Sequence, residues 1–215
     1  MRHLLVSRFE SSMAAFQTSL GYMIQSAEHL LTWIDKRHKI PVYKKGNLPE
    51  VDDFYTDDGM EEIQETFDKY ESRGFFEIDM KYVEDNFIED VKTDIHLLQS
   101  LREEWFGKEN VIKQDPKLDS FIEIAKKKLE QEPERKLIVF SEYADTVDYL
   151  GKKLVEAGLP VMKYTSADAS PNNKERIRAN FDAGLKKELQ RDDYKILVAT
   201  DAISEGYNLH RAGAI

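Results

Sequence analysis

Apolar residues recur along the chain with two different periods, and the change of period divides it. Phe9, Phe16, Met23 and Leu30 stand seven apart, and Met13, Leu20, Ala27 and Ile34 form a second such series. Two interleaved series of this kind make one stripe on a helix, so the pattern predicts a single long helix over residues 1–40. Gly21 alone weakens it, and Pro41 with the Lys45-Gly46-Asn47-Leu48-Pro49 stretch ends it. A helix of that length is expected to project or to pack against a partner helix. Residues 50–80 lose the period, and a mobile loop with one short helix is expected there. Period returns over residues 82–106, where Phe87, Val91, Ile95, Leu98, Leu101 and Trp105 fall three or four apart on one face. This second helix is the expected antiparallel partner of the first.

Beyond it the pattern becomes that of an α/β domain. Asp115-Pro116 reads as an N-cap followed by a proline at the first helical position. Leu118, Phe121, Ile122, Ala125 and Leu129 supply the buried stripe, and Pro133 stops the helix. Leu137-Ile138-Val139-Phe140 is a short continuous apolar run, as a strand buried on both faces requires. A helix over about 143–157, ended by Gly158, precedes a strand at Val161-Met162-Lys163-Tyr164. Ser170-Pro171 caps a helix holding Arg176, Ile177 and Phe181. Ile196-Leu197-Val198-Ala199 is a third strand, and Ala212-Gly213-Ala214-Ile215 opens a fourth. Strands alternating with helices predict a parallel sheet with crossover helices. The domains expected are 1–110, a helical protrusion with an acidic insertion over about 41–80, and 111–215, the α/β domain.

Charge sharpens this division. The 215-residue chain carries a formal net charge of −10. Residues 1–40 hold five Lys/Arg and three Asp/Glu, residues 41–110 hold eight and twenty, and residues 111–215 hold eighteen of each. The acidity therefore lies in the middle segment, and the α/β part is neutral. The middle segment also carries aromatics (Phe54, Tyr55, Phe67, Tyr70, Phe75, Phe76), so it is not a plain acidic tail. With no cysteine, the chain has no disulfide, thiolate metal site or cysteine nucleophile. It has no apolar run of membrane-spanning length, and Ser7-Arg8 interrupts the start too early for a secretory signal. A cytoplasmic protein with no membrane partner is expected. His3, His29, His38, His96 and His210 show no metal-ligand spacing, so no metal is assigned.

Ligands of parallel sheets bind at the carboxyl ends of the strands, so three loops carry the candidate chemistry. Ser141, after the first strand, suits a helix cap first and a phosphate donor second. Thr165-Ser166-Ala167-Asp168, with Arg176 beyond, reads as a turn. The third loop, Thr200-Asp201-Ala202-Ile203-Ser204-Glu205-Gly206-Tyr207-Asn208, gathers hydroxyls, a glycine and an asparagine after a buried strand. Such groups permit close backbone approach to a phosphate, and they equally make a polar loop. Asp201 suits a bond to its own loop's amides.

Here the residues resemble a known family. Lys136-Leu137-Ile138-Val139-Phe140-Ser141-Glu142-Tyr143 resembles motif IV of superfamily-two helicases, and Ile196 through Leu209 resembles their motif V. The wording ATDAISEGYNLHRAGAI is similar to Swi/Snf-type translocases of the RapA-like bacterial branch. Asp115-Pro116-Lys117-Leu118 resembles the entry to their second RecA-like lobe. Arg8 through Phe16 resembles an R-x-E-S-S-x-x-A-F helix of that branch, while residues 40–110 match loosely. The resemblance implies a RecA-like lobe in an ATP-driven motor on nucleic acid, with double-stranded DNA the expected track. By position, Ser141, Thr200 and Ser204 become the candidate backbone contacts. Glu205, Gly206 and Asn208 become the coupling loop beside ATP, and Arg176 a structural or backbone residue.

The sequence also lacks parts of that motor. It has no G-x-x-x-x-G-K-[ST] phosphate loop; Gly151-Lys152-Lys153 fails the pattern, with Thr146 where the first glycine belongs. No Asp-Glu dipeptide is present, and Ile215 precedes the position of the family's motif VI with its arginine fingers. The expectation is a truncated second lobe from a larger protein, with ATP and Mg2+ used by the whole motor, none bound here, and the first lobe missing as a partner. Such a piece is expected to lack ATPase activity and to bind nucleic acid weakly. Two other readings stand beside it. One is a non-enzymatic interaction module, in which the heptad helix and acidic segment bind a protein partner. The other is a receiver-like phosphoacceptor, disfavoured because Ser141 and Thr165 stand where acids are needed.

Overall fold

The computed structural model describes residues 2–43, 74–203 and 208–214. The chain divides into two compact units, Leu20–Asn110 and the pair of segments Met1–Ser19 and Val111–Ile215. The boundary after Asn110 is where the charge count changes, but the first nineteen residues belong with the α/β part.

The predicted single helix is two, α1 (Arg2–Ser11) and α2 (Met13–Arg37). Ser12 separates them. Its Oγ accepts the Ala15 amide at 3.0 Å, as an N-cap does, while the Ser12 amide still donates to the Arg8 carbonyl. The apolar stripe runs on across the break, which is why periodicity alone reads one helix. Phe16, Leu20 and Ile34 of that stripe are buried, whereas Phe9 is 40% exposed.

In the unit Leu20–Asn110, α2 leads through His38 into β1 (Lys39–Tyr43), which pairs antiparallel with β2 (Phe75–Asp79) in the register Lys39↔Asp79 to Tyr43↔Phe75. Pro41, read from sequence as a helix stop, lies inside β1. A two-stranded sheet tolerates it because each strand has a free edge for the missing N–H. Most of the acidic segment, residues 44–73, lies outside the described residues. α3 (Phe87–Phe106) buries Ile95 and Phe106, while Leu97 is 67% and Trp105 44% exposed. Trp105 is thus not the core residue expected, although Trp33 is fully buried. Glu77 holds this unit together: its carboxylate accepts from the Trp33 indole at 2.9 Å, from Arg37 at 2.6 and 3.0 Å, and from Lys39 at 3.3 Å. Burial alone would raise the Glu77 pKa, but these partners outweigh it and hold the carboxyl below its ordinary value. Gln99 Nε2 also donates to Glu28, linking α3 to α2.

The other unit is the expected α/β arrangement of a parallel sheet with crossover helices. α4 (Pro116–Gln131) starts on the predicted cap, with the Asp115 carboxylate accepting the Leu118 amide. Then come β3 (Lys136–Phe140), α5 (Ala144–Glu156), β4 (Val161–Tyr164), α6 (Pro171–Phe181), β5 (Ile196–Ala199) and β6 (Ala212–Ala214). All four strands are parallel, in the order β4-β5-β3-β6. Alternate residues of β5 fill two cores. Leu197 and Ala199 pack with Ile177 and Phe181 of α6, and Ile196 and Val198 pack with Ala125 of α4 and Val147 and Leu154 of α5. β5 is therefore the strand buried on both faces. β3 is less covered than predicted, because Phe140 at its end is 56% exposed. The Gly151-Lys152 pair is part of α5, not a phosphate loop. A β-carbon at Gly151 would stand 3.3 Å from Lys163 Cβ, so this glycine serves helix–strand packing. At the amino end of β3, Lys136 is buried and bound to Asp192 and the Tyr194 carbonyl. Burial lowers its pKa, and Asp192 opposes that shift.

Candidate nucleic-acid interface

β3, β4 and β5 end level with one another. Phe140 and Tyr164 are both in register with Ala199. Ser141, Thr165 and Thr200 therefore leave the sheet side by side at its carboxyl edge. Two further ladder bonds fix them: the Ser141 amide donates to the Ala199 carbonyl at 3.0 Å, and the Thr200 amide to the Tyr164 carbonyl at 3.1 Å. Of the residues singled out in sequence, Ser141 and Thr200 are thus brought together. Ser204, Glu205 and Gly206 lie outside the described residues. Asn208 is exposed, with its Nδ2 3.6 Å from where a β-carbon on Gly184 would stand.

The first loop departs from the helix-cap reading of Ser141. α5 is capped by Tyr143, without a side-chain bond, two residues beyond the serine. Ser141 Oγ instead accepts the Tyr143 amide at 3.3 Å. The second loop is the turn expected. Asp168 accepts from both the amide and the hydroxyl of Thr165, each at 2.9 Å, so that buried hydroxyl is already engaged. Arg176 lies with its guanidinium 5.3 Å over the Tyr194 ring and donates to its hydroxyl, a structural placement on α6.

A cavity of about 700 Å3 opens beside Ser141. Its walls combine Phe121, Ile124, Val139, Phe140 and Leu150 with the hydroxyls of Ser7, Ser11, Ser12, Ser120, Ser141 and Thr146. Sequence reading missed the part contributed by α1. Ser11 Oγ lies 2.9 Å and Ser12 Oγ 2.8 Å from Thr146 Oγ1, and Ser11 Oγ lies 3.4 Å from Ser141 Oγ. The R-x-E-S-S pattern was the available signal, but only a helix was read from it. In the cavity wall the Tyr149 hydroxyl donates to Asp115 at 3.0 Å; burial, and then that bond, push its pKa above the usual phenol value.

The segments directly after β3, β4 and β5 offer hydroxyls and amides but no cation, while Lys117 lines the cavity beside Ser141. Glu142, Asp168 and Asp201 stand in them, and neither 141–143, 165–170 nor 200–203 contains Lys or Arg. They suit uncharged hydrogen bonds to a phosphate backbone. They do not form a triphosphate cradle, and the sequence supplies no phosphate loop elsewhere. Among the described residues, no cluster of His, Asp or Glu is arranged to hold a metal ion.

Residues 117–215 match the family model described as the helicase conserved C-terminal domain. No curated protein matches the chain. Among solved structures, the crystal structure of the Pyrococcus furiosus Hef helicase domain is similar over 58% of this chain, at 22% identity and a TM-score of 0.36. The chain covers 22% of that chain. No helix among the described residues is long and apolar enough to cross a membrane.

Proposed function

We propose that this chain supplies the second lobe of an ATP-driven, superfamily-two nucleic-acid motor, of the Swi/Snf type and its RapA-like branch, working on double-stranded DNA in the cytoplasm. The observation that carries the reading is the level ending of β3 and β5 within the stretch that matches the helicase domain. It puts Ser141 and Thr200 at adjacent positions on the edge where parallel sheets bind ligands. In this reading Ser141, Thr200 and Ser204 hydrogen-bond successive phosphates of one strand. Contacts of this type fix register on a duplex without reading sequence, as translocation demands. Glu205, Gly206 and Asn208 couple that grip to ATP and Mg2+, whose phosphate-binding residues belong to the first lobe of the motor. The nucleotide supplies the driving force; the residues of this chain orient the track.

The test is titration of a labelled DNA duplex with the 215-residue chain. Weak binding that fades as salt rises is expected, because the α/β part carries no net positive charge. A tight complex indifferent to salt contradicts the reading. One observation favours an additional protein-binding role: the exposed Leu97 and Trp105 on α3. The partner proposed for the acidic insertion would contact residues outside those described.

A further inference from the structure

The loop that carries Ser141 is weakly held by its own chain. Its helix, α5, begins without a side-chain cap, and the one bond Ser141 makes within the loop is 3.3 Å long. The stronger restraints come from residues 8–12, more than a hundred positions away in sequence. Arg8 grips the loop at two points. Its guanidinium lies 4.4 Å over the Tyr143 ring and forms an ion pair with Asp145 in the first turn of α5. Its Nε donates to Ser19 Oγ at 2.8 Å, which fixes the plane of the group. Ser11 and Ser12 then hold Thr146 from the other side, and Ser11 reaches the Ser141 hydroxyl itself. Lys117 ties down this stretch of α1 in turn, donating to the carbonyls of Glu10 and Ser11.

This arrangement is unlike ordinary core packing. Ser12 and Thr146 are 6% and 2% exposed, yet they meet through hydroxyls where two apolar side chains of similar size would pack without directional demands. Buried polar networks of this kind specify one geometry. An arginine is the side chain suited to the outer contact, because a planar guanidinium stacks on a ring and pairs with a carboxylate at once.

We infer that Arg8, with Ser11 and Ser12, positions the Ser141 loop for its contact with the nucleic-acid backbone, acting through Tyr143, Asp145 and Thr146. Arg8 is a positioning residue: its charge is spent on Asp145 and its face on Tyr143. The inference rests on the proposed role of Ser141, and two readouts separate them. The first is a double-mutant cycle on duplex affinity, in the 215-residue chain at low salt, with Ser141→Ala, Arg8→Ala and both together. Each single change is expected to weaken binding by about tenfold, as for one lost hydrogen bond to a charged group, and the double change to weaken it no further. Losses that multiply overturn positioning, because Arg8 would then act on its own. Wild-type affinity for Arg8→Ala beside a weakened Ser141→Ala also overturns it.

The second readout is amide hydrogen exchange, which does not depend on any ligand. Arg8→Ala and the charge-retaining Arg8→Lys are both expected to speed exchange at the Tyr143 and Val147 amides, leaving residues 196–199 of β5 unchanged. Unchanged exchange at 143 and 147 overturns the inference whatever the binding shows. Faster exchange there, with Ser141→Ala binding as wild type, leaves Arg8 as the loop's anchor and removes Ser141 from the interface.

Discussion

Single residues already separate what this chain uses for stability from what it presents at its edge. Glu77 belongs to the first group, with four side-chain bonds from Trp33, Arg37 and Lys39. Its carboxyl titrates below the ordinary 4.5. A lowered acid pKa adds stability that is present above the unfolded value and lost as pH falls through the folded one. Glu77→Gln is therefore expected to cost about 2 kcal/mol near neutrality, as hydrogen bonds to a charged group do. The gap from wild type should close as pH drops below 4.5. Denaturant melts followed by fluorescence of the buried Trp33 check this; a gap that stays constant down to pH 3 contradicts it. Ser141 belongs to the second group, and it shows why residue roles were only partly legible. A serine after a strand reads as a cap, but capping depends on where the first turn starts. Here it starts past Tyr143, where Arg8 and Ser12, distant in sequence, contact Tyr143 and Thr146.

At the scale of elements, what was legible depended on the range of the forces involved. The strands β3, β4 and β5 and the caps at Asp115 and Ser170 follow from local period and local hydrogen bonding, and they lie within a residue of their predicted places. The hairpin β1–β2 was not legible, since its strands are separated by the long acidic segment and one contains Pro41. The break between α1 and α2 was hidden too, because Ser12 answers to Thr146, 134 positions away. Gly158 was read correctly as the end of α5 and has φ +82°, with no atom near enough to obstruct a side chain. Gly158→Ala is accordingly expected to cost about 1 kcal/mol, from backbone strain alone. Thermal melting measures it, and a variant as stable as wild type would show that the left-handed cap is dispensable.

For the whole molecule, net charge is a poor guide and its distribution a good one. Residues 41–110 carry −12 and residues 1–40 carry +2, whereas residues 111–215, which include Ser141 and Thr200, are neutral. The sheet edge offers hydroxyls and amides without lysine or arginine at 141–143, 165–170 or 200–203, so the proposed grip on a duplex would rest on few contacts. Without a phosphate loop, the 215-residue chain is expected to show no ATP hydrolysis above background, with or without DNA. A coupled phosphate-release assay decides this, and DNA-stimulated turnover would mean that the catalytic parts lie in residues assigned here to other roles.

The central claim is that the carboxyl edge grips the backbone of nucleic acid through Ser141 and Thr200. Fluorescence anisotropy of a labelled duplex at low salt, comparing the wild-type chain with the Ser141→Ala/Thr200→Ala variant, tests it most directly. Removing two uncharged donors to phosphate is expected to weaken binding by about tenfold or more while leaving the salt dependence unchanged. Equal affinity of the two proteins across the salt series would contradict the claim.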